Sequence, residues 1–110
     1  MKKFTGDEGG AFNDIADAAK YTAEYRRLNK PKPGETLIKG HFMGKVELEK
    51  LLSHPKAKGI RVYYGINPGT GQKELVFVAA DEFQNDILDR VSDHTHPCPQ
   101  YCSEDNILNS

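Results

Sequence analysis

The chain contains no apolar run approaching the ~20 residues that span a bilayer, so no membrane helix is expected among its 110 residues. It also lacks an excess of either charge. Fifteen Lys and Arg stand against sixteen Asp and Glu, a net charge of −1. Affinity for nucleic acid rests on a basic surface that neutralises phosphates, so a nucleic-acid partner is not expected. The basic start Met1-Lys2-Lys3 is followed by Phe4-Thr5-Gly6-Asp7-Glu8 rather than by an apolar segment, and does not read as an export signal. The expectation is a cytoplasmic protein, where thiols stay reduced. There is no internal repeat and no low-complexity segment. No Ser-His-Asp order and no nucleophile-elbow glycine pattern stands out, so no catalytic residue is assigned and an enzyme is not the first expectation.

What is present fits one small domain. A chain of this length buries roughly two-thirds of the surface that its unfolded form exposes, enough for a single core. The apolar share of 37% is low and the charged share of 28% slightly high, as expected of a small domain with polar ends. Residues 1–12 and 105–110 read as flexible ends, and 13–104 as a single α+β domain.

Asn13 or Asp14 can cap a helix that runs to about Leu28. Ile15, Ala18, Ala19, Thr22, Tyr25 and Leu28 then fall on one stripe. Asp14 and Asp17 at its start and Arg26 and Arg27 at its end suit the helix dipole. Lys30-Pro31-Lys32-Pro33-Gly34 ends it, because proline removes a backbone donor and disfavours helix in the residue before it. Thr36-Leu37-Ile38 reads as a short extended piece. A second helix is expected from about Gly44 to Ser53, with Leu48, Leu51 and Leu52 inward, Phe42 and Met43 at its entrance, and Pro55 as its stop.

The clearest pattern follows. Ile60, Val62, Tyr64 and Ile66 alternate with Arg61, Tyr63 and Gly65, the period of a half-buried strand. Asn67-Pro68-Gly69-Thr70-Gly71-Gln72 is rich in turn residues. Leu75-Val76-Phe77-Val78-Ala79-Ala80 is nearly continuously apolar, as in a strand covered on both faces. Together they predict an antiparallel hairpin over 59–66 and 73–80. A lone hairpin is marginal in water. Further strands are therefore expected from Leu37-Ile38, Ile87-Leu88, the tail or a second subunit, and a homodimer is expected over a monomer. From about Ser92 the tail reads as irregular.

The tail, Asp93-His94-Thr95-His96-Pro97-Cys98-Pro99-Gln100-Tyr101-Cys102-Ser103, holds the one dense group of metal-ligating residue types. Thiolate and imidazole suit zinc, which takes four ligands in a tetrahedron. Crowding all of Cys98, Cys102, His94 and His96 onto one ion would strain so short a segment, and completion by His41 or a partner chain is easier to build. Two cysteines this close can also form a structural crosslink. The spacing is not the Cys-x-x-Cys of thioredoxin-like enzymes.

Other residues carry weaker signals. Gly69-Thr70-Gly71-Gln72-Lys73 lacks the Gly-Lys-Ser/Thr end and following helix of a phosphate loop. His41 beside Phe42-Met43-Gly44 could serve as a base in a small enzyme, although capping or surface placement is the commoner use. His54 before Pro55 is expected at the carbonyl end of the second helix. Arg61 and Tyr63 share a strand face and, with Tyr101, are the candidate interaction residues. Asp14, Asp17, Glu47, Glu49, Asp81, Glu82, Asp86, Asp89 and Asp93 are scattered, with no facing partner legible.

Several stretches resemble a group of small uncharacterised bacterial proteins: Tyr21-Thr22-Ala23-Glu24-Tyr25-Arg26, Lys39-Gly40-His41-Phe42-Met43-Gly44-Lys45, Gly59-Ile60-Arg61-Val62-Tyr63-Tyr64-Gly65, Leu75-Val76-Phe77-Val78 and Pro97-Cys98-Pro99-Gln100-Tyr101-Cys102-Ser103. In that group the tail is similar to Cys-Pro-Pro-x-Cys, and aromatic or apolar residues commonly stand where His94 and His96 stand here. That departure weakens a metal site built on these histidines and leaves the paired cysteines to explain. The resemblance implies no activity.

The sequence therefore predicts an α+β fold with one or two helices on a small antiparallel sheet. Its first functional expectation is a non-enzymatic interaction or accessory protein with a protein partner. The alternatives are a zinc-binding module on Cys98 and Cys102 and a small enzyme using His41.

Overall fold

The computed structural model describes residues 2–110. The elements run α1 (Ile15–Leu28), β1 (Gly40–Phe42), α2 (Lys45–Leu52), β2 (Gly59–Ile66), β3 (Lys73–Ala80), β4 (Asp86–Ser92) and β5 (His96–Cys98). The fold class is α+β, with two helices and two small antiparallel sheets, one ordered β1-β5 and the other β2-β3-β4. The chain divides into two compact units, one formed by residues 2–9 and 43–95 and the other by 10–42 and 96–110.

The first unit holds the three-stranded sheet and α2. Its hairpin has the predicted bounds, with Ile60 opposite Ala79, Val62 opposite Phe77 and Tyr64 opposite Leu75. The connecting loop closes on itself. The Asn67 amide donates to the Gln72 carbonyl at 2.9 Å, the Gly71 amide to the Asn67 carbonyl at 2.7 Å, and the Gly69 amide to Asn67 Oδ1 at 2.8 Å. Gly71 has φ +75°, a conformation that glycine adopts without steric cost.

β3 is the central strand, which explains its apolar run, but only its end is fully covered. Val78, Ala79 and Ala80 are buried, whereas Glu74 to Phe77 are half-buried. β4 is the strand whose period the sequence concealed. Val91 lies opposite Val78 and Ile87 opposite Ala79, so Leu88, Asp89 and Arg90 intervene without partners at a bulge. These inserted residues break the alternation that marks a strand.

Gly44 and Ser53 flank α2 as its caps; the Ser53 amide donates to the Glu49 carbonyl at 2.9 Å and its hydroxyl to the Lys50 carbonyl at 2.8 Å. Register places Ser92 opposite Phe77, on the side that carries Ile60, Val62 and Tyr64. The Ser92 hydroxyl donates to Glu47 of α2, so α2 lies on this side. Leu51 is its one buried residue, 2% exposed, while Leu52 is 50% exposed. Of the three leucines expected to turn inward, Leu51 is buried, Leu48 half-buried and Leu52 exposed.

The second unit holds α1 and the β1–β5 ribbon, in which Gly40 pairs with Cys98, His41 with Pro97 and Phe42 with His96. The tail, read as irregular but also as a possible source of a further strand, supplies β5. Its partner lies slightly beyond the expected Leu37-Ile38, and Phe42 is an exposed residue of β1 rather than part of a helix entrance. Asp14 caps α1 by accepting from the Ala16 amide at 2.9 Å, and Asn29 closes it with two bonds to the Tyr25 carbonyl. The stripe Ala18, Ala19, Thr22 and Tyr25 is half-buried, but no residue of α1 is fully buried. Polar ties supply the rest: Tyr25 Oη donates to the Ile38 carbonyl at 3.3 Å, and Arg26 and Lys39 each donate at 2.8 Å to the carbonyls of Leu108 and Asn109.

Candidate interaction surface

Cys98 and Cys102 are joined in a disulfide, with Cα atoms 4.7 Å apart, inside the range that the bond requires. This corrects the zinc expectation, because a sulfur held in a disulfide is not the thiolate that zinc binds. The histidines are placed elsewhere. The His96 ring rests against Tyr101, centroids 4.6 Å apart. His94 belongs to the other unit and lies 3.1 Å from Asp93 Oδ1. Among the described residues no three His, Cys, Asp or Glu side chains are gathered as a metal ion needs. The tail is organised around β5 instead: the Lys39 amide donates to the Cys98 carbonyl at 2.6 Å and the Tyr101 amide to the Pro97 carbonyl at 2.8 Å.

Arg61 and Tyr63 do share a face, as expected, and the structure supplies the partner that the sequence did not reveal. Both reach across β3 to Asp86 on β4. Arg61 meets one carboxylate oxygen, the Tyr63 hydroxyl donates to the other, and Arg61 Nη1 also donates to the Gln84 carbonyl at 3.1 Å. The Tyr63 hydrogen bond, followed by Arg61, holds the Asp86 carboxyl below its ordinary range, and the same contact raises the Tyr63 phenol. The Phe4 ring lies 5.9 Å from the Arg61 guanidinium, in cation–π range. The Phe4 amide donates to the Glu82 carbonyl at 2.8 Å, and Gln84 Nε2 donates to the Lys2 carbonyl. Arg61 is therefore engaged with an internal anion, which leaves it poorly placed to receive an external one.

A second polar cluster, not legible in the sequence, ties α2 to β4. Arg90 makes a two-pronged pair with Glu47, at 2.6 and 2.7 Å, and Ser92 adds a hydroxyl. The Arg90 and Ser92 hydrogen bonds lower the Glu47 pKa to about 2. Asp89, also among the looped-out residues, meets His54 Nε2 at 3.1 Å, while His54 Nδ1 accepts from the Lys56 amide. His54 thus turns to Asp89 rather than to the helix carbonyls. His41 sits in β1 opposite Pro97.

What the sheet leaves uncovered is more distinctive. α2 has eight residues, a length of about 12 Å at 1.5 Å per residue. β2 also has eight, about 26 Å at 3.3 Å per residue. The helix is too short to cover the strand. Ile60 is half-buried, whereas Val62 is 40%, Ile66 67% and Tyr64 93% exposed. β2 is also an edge strand, and from Val62 to Ile66 it has no charge and no proline.

No family model, curated protein or solved structure matches the chain. No helix among the described residues is long and apolar enough to cross a membrane.

Proposed function

We propose that the chain is a non-enzymatic interaction protein whose partner protein adds a strand to the outer edge of β2. One observation carries this reading: Val62-Tyr63-Tyr64-Gly65-Ile66 is an uncharged edge segment in which Tyr64 is 93% and Ile66 67% exposed. Proteins ordinarily protect such edges with charge, proline or a covering element, because open edges recruit other strands. A partner strand would gain main-chain hydrogen bonds from the edge and contacts from its exposed apolar row. The compact polar clusters around Asp86 and Glu47 serve to brace the sheet behind that edge.

The compartment is tied to the tail. Disulfides persist in oxidising surroundings and are reduced in the cytosol, so a cytoplasmic protein would carry Cys98 and Cys102 as thiols.

Affinity capture tests the interaction reading. A partner held by the wild-type chain is expected to be lost with Tyr64→Lys and kept with Tyr21→Lys, another exposed tyrosine, on α1. A partner retained equally by both variants overturns the reading.

A further inference from the structure

The open edge of β2 has a self-complementary register. In an antiparallel ladder, successive residues direct both backbone groups alternately toward one neighbour and away from it. Asn67 donates to Gln72, one step beyond the Ile66–Lys73 pair, so the odd-numbered residues of β2 face β3. Ile60, Val62, Tyr64 and Ile66 then direct N–H and C=O toward the open edge. Among the described residues no other segment bonds to these groups.

We propose that β2 pairs antiparallel with β2 of a second copy about a two-fold axis at Tyr63, joining two three-stranded sheets into one; this rests on the interaction reading above and names its partner. Backbone parity limits the registers. An outward-facing residue can bond only to another outward-facing one, so even-numbered residues must oppose even-numbered ones. With the axis at Tyr63, Ile60 opposes Ile66 of the second copy and Val62 opposes its Tyr64, and the mirror pairs follow by symmetry. All four open residues are then used.

The side chains agree with this register. The row Ile60, Val62, Tyr64, Ile66 lies on one face, so it continues into the same row of the second copy and pairs apolar with apolar. Arg61, the only charged residue of β2, falls opposite Gly65 rather than opposite its own symmetry mate, and it remains neutralised by Asp86. No like charges meet across the ladder, and the chain's net charge of −1 offers little long-range repulsion. A strand from an unrelated protein would have to reproduce this alternation and this absence of charge. A second copy has both by construction.

Sedimentation across a range of protein concentrations, paired with hydrogen exchange on the full chain, tests the proposal. The wild type is expected to form a dimer as concentration rises, with the amides of Ile60, Val62, Tyr64 and Ile66 becoming protected in step. Tyr64→Lys is expected to weaken the dimer by roughly tenfold or more, since it sets a charge in the apolar row, while the highly exposed position leaves folding unchanged. A wild type that stays monomeric at every concentration overturns the proposal, as does a dimer indifferent to Tyr64→Lys whose four amides exchange freely. A monomer that still loses a captured partner through Tyr64→Lys defeats self-pairing but spares the interaction reading. A monomer with a Tyr64-independent partner defeats both.

Discussion

Replacing Cys98 and Cys102 together by serine separates the two roles that the tail can serve. The bond spans a sequence separation of four, closing a loop of about five residues. In the chain-entropy account its removal returns about 7 cal/mol/K to the unfolded chain, or about 2 kcal/mol at room temperature. The loss falls on a unit with little else to hold it, since β1 and β5 have three residues each and no residue of α1 is fully buried. A penalty of about 2 kcal/mol is roughly a thirtyfold larger open population, which hydrogen exchange reads amide by amide. The Lys39 and Tyr101 amides, which donate to the Cys98 and Pro97 carbonyls, are expected to exchange faster by that factor, and the amides of β3 to be unaffected. Intact mass under denaturing, non-reducing conditions is expected to be two hydrogen atoms below that of the reduced chain, with no alkylation before reduction. Free thiols in that experiment, or unchanged exchange at Lys39 and Tyr101 after the double replacement, would refute the structural role of the bond.

Two further outcomes follow from the first unit. Leu51→Ala is expected to cost about 2–3 kcal/mol in urea unfolding, the low end for a buried leucine because half-exposed neighbours can relax into the space, whereas Leu52→Ala is expected to cost under about 1 kcal/mol; equal losses would mean that α2 is not docked through Leu51. Glu47 is lowered from the ordinary 4.5 to about 2 in the folded state, so the stability it adds is fully present above pH 4.5 and is lost as the pH falls through about 2. Glu47→Gln is therefore expected to be less stable than the wild type at neutral pH and to approach it as the pH falls toward 2, and a difference independent of pH would sever the link to ionised Glu47.

Local pattern and tertiary arrangement divide this protein unevenly. The sequence alone determined α1, α2 and the β2–β3 hairpin, because each is specified within its own segment. Asp14 opens α1, the proline-rich stretch from Lys30 to Gly34 ends it, and the turn residues after Ile66 reverse the chain. The alternation from Ile60 to Ile66 was a correct sign of extended backbone but an incomplete sign of burial. Whether Tyr64 is covered depends on how far α2 reaches, and that is a comparison of two lengths set by different segments.

The remainder took form only when distant segments met. Asp86 stood among scattered carboxylates until β4 took its place beside β3 and brought it within reach of Arg61 and Tyr63. Glu47 on α2 lies more than forty residues before Arg90 and Ser92 on β4, with no spacing rule to link them, so nothing short of the fold joins them. Of β4 only Ile87-Leu88 was legible as a strand candidate, because the bulge at Leu88, Asp89 and Arg90 removes the period by which a longer strand is read. The tail shows the same division. Its thiols and imidazoles were plain in the sequence, but their use was not, because geometry decides whether sulfurs meet each other or a metal. Here the pairing of β5 with β1 carries Cys98, the disulfide joins it to Cys102, and His94 is left in the other unit.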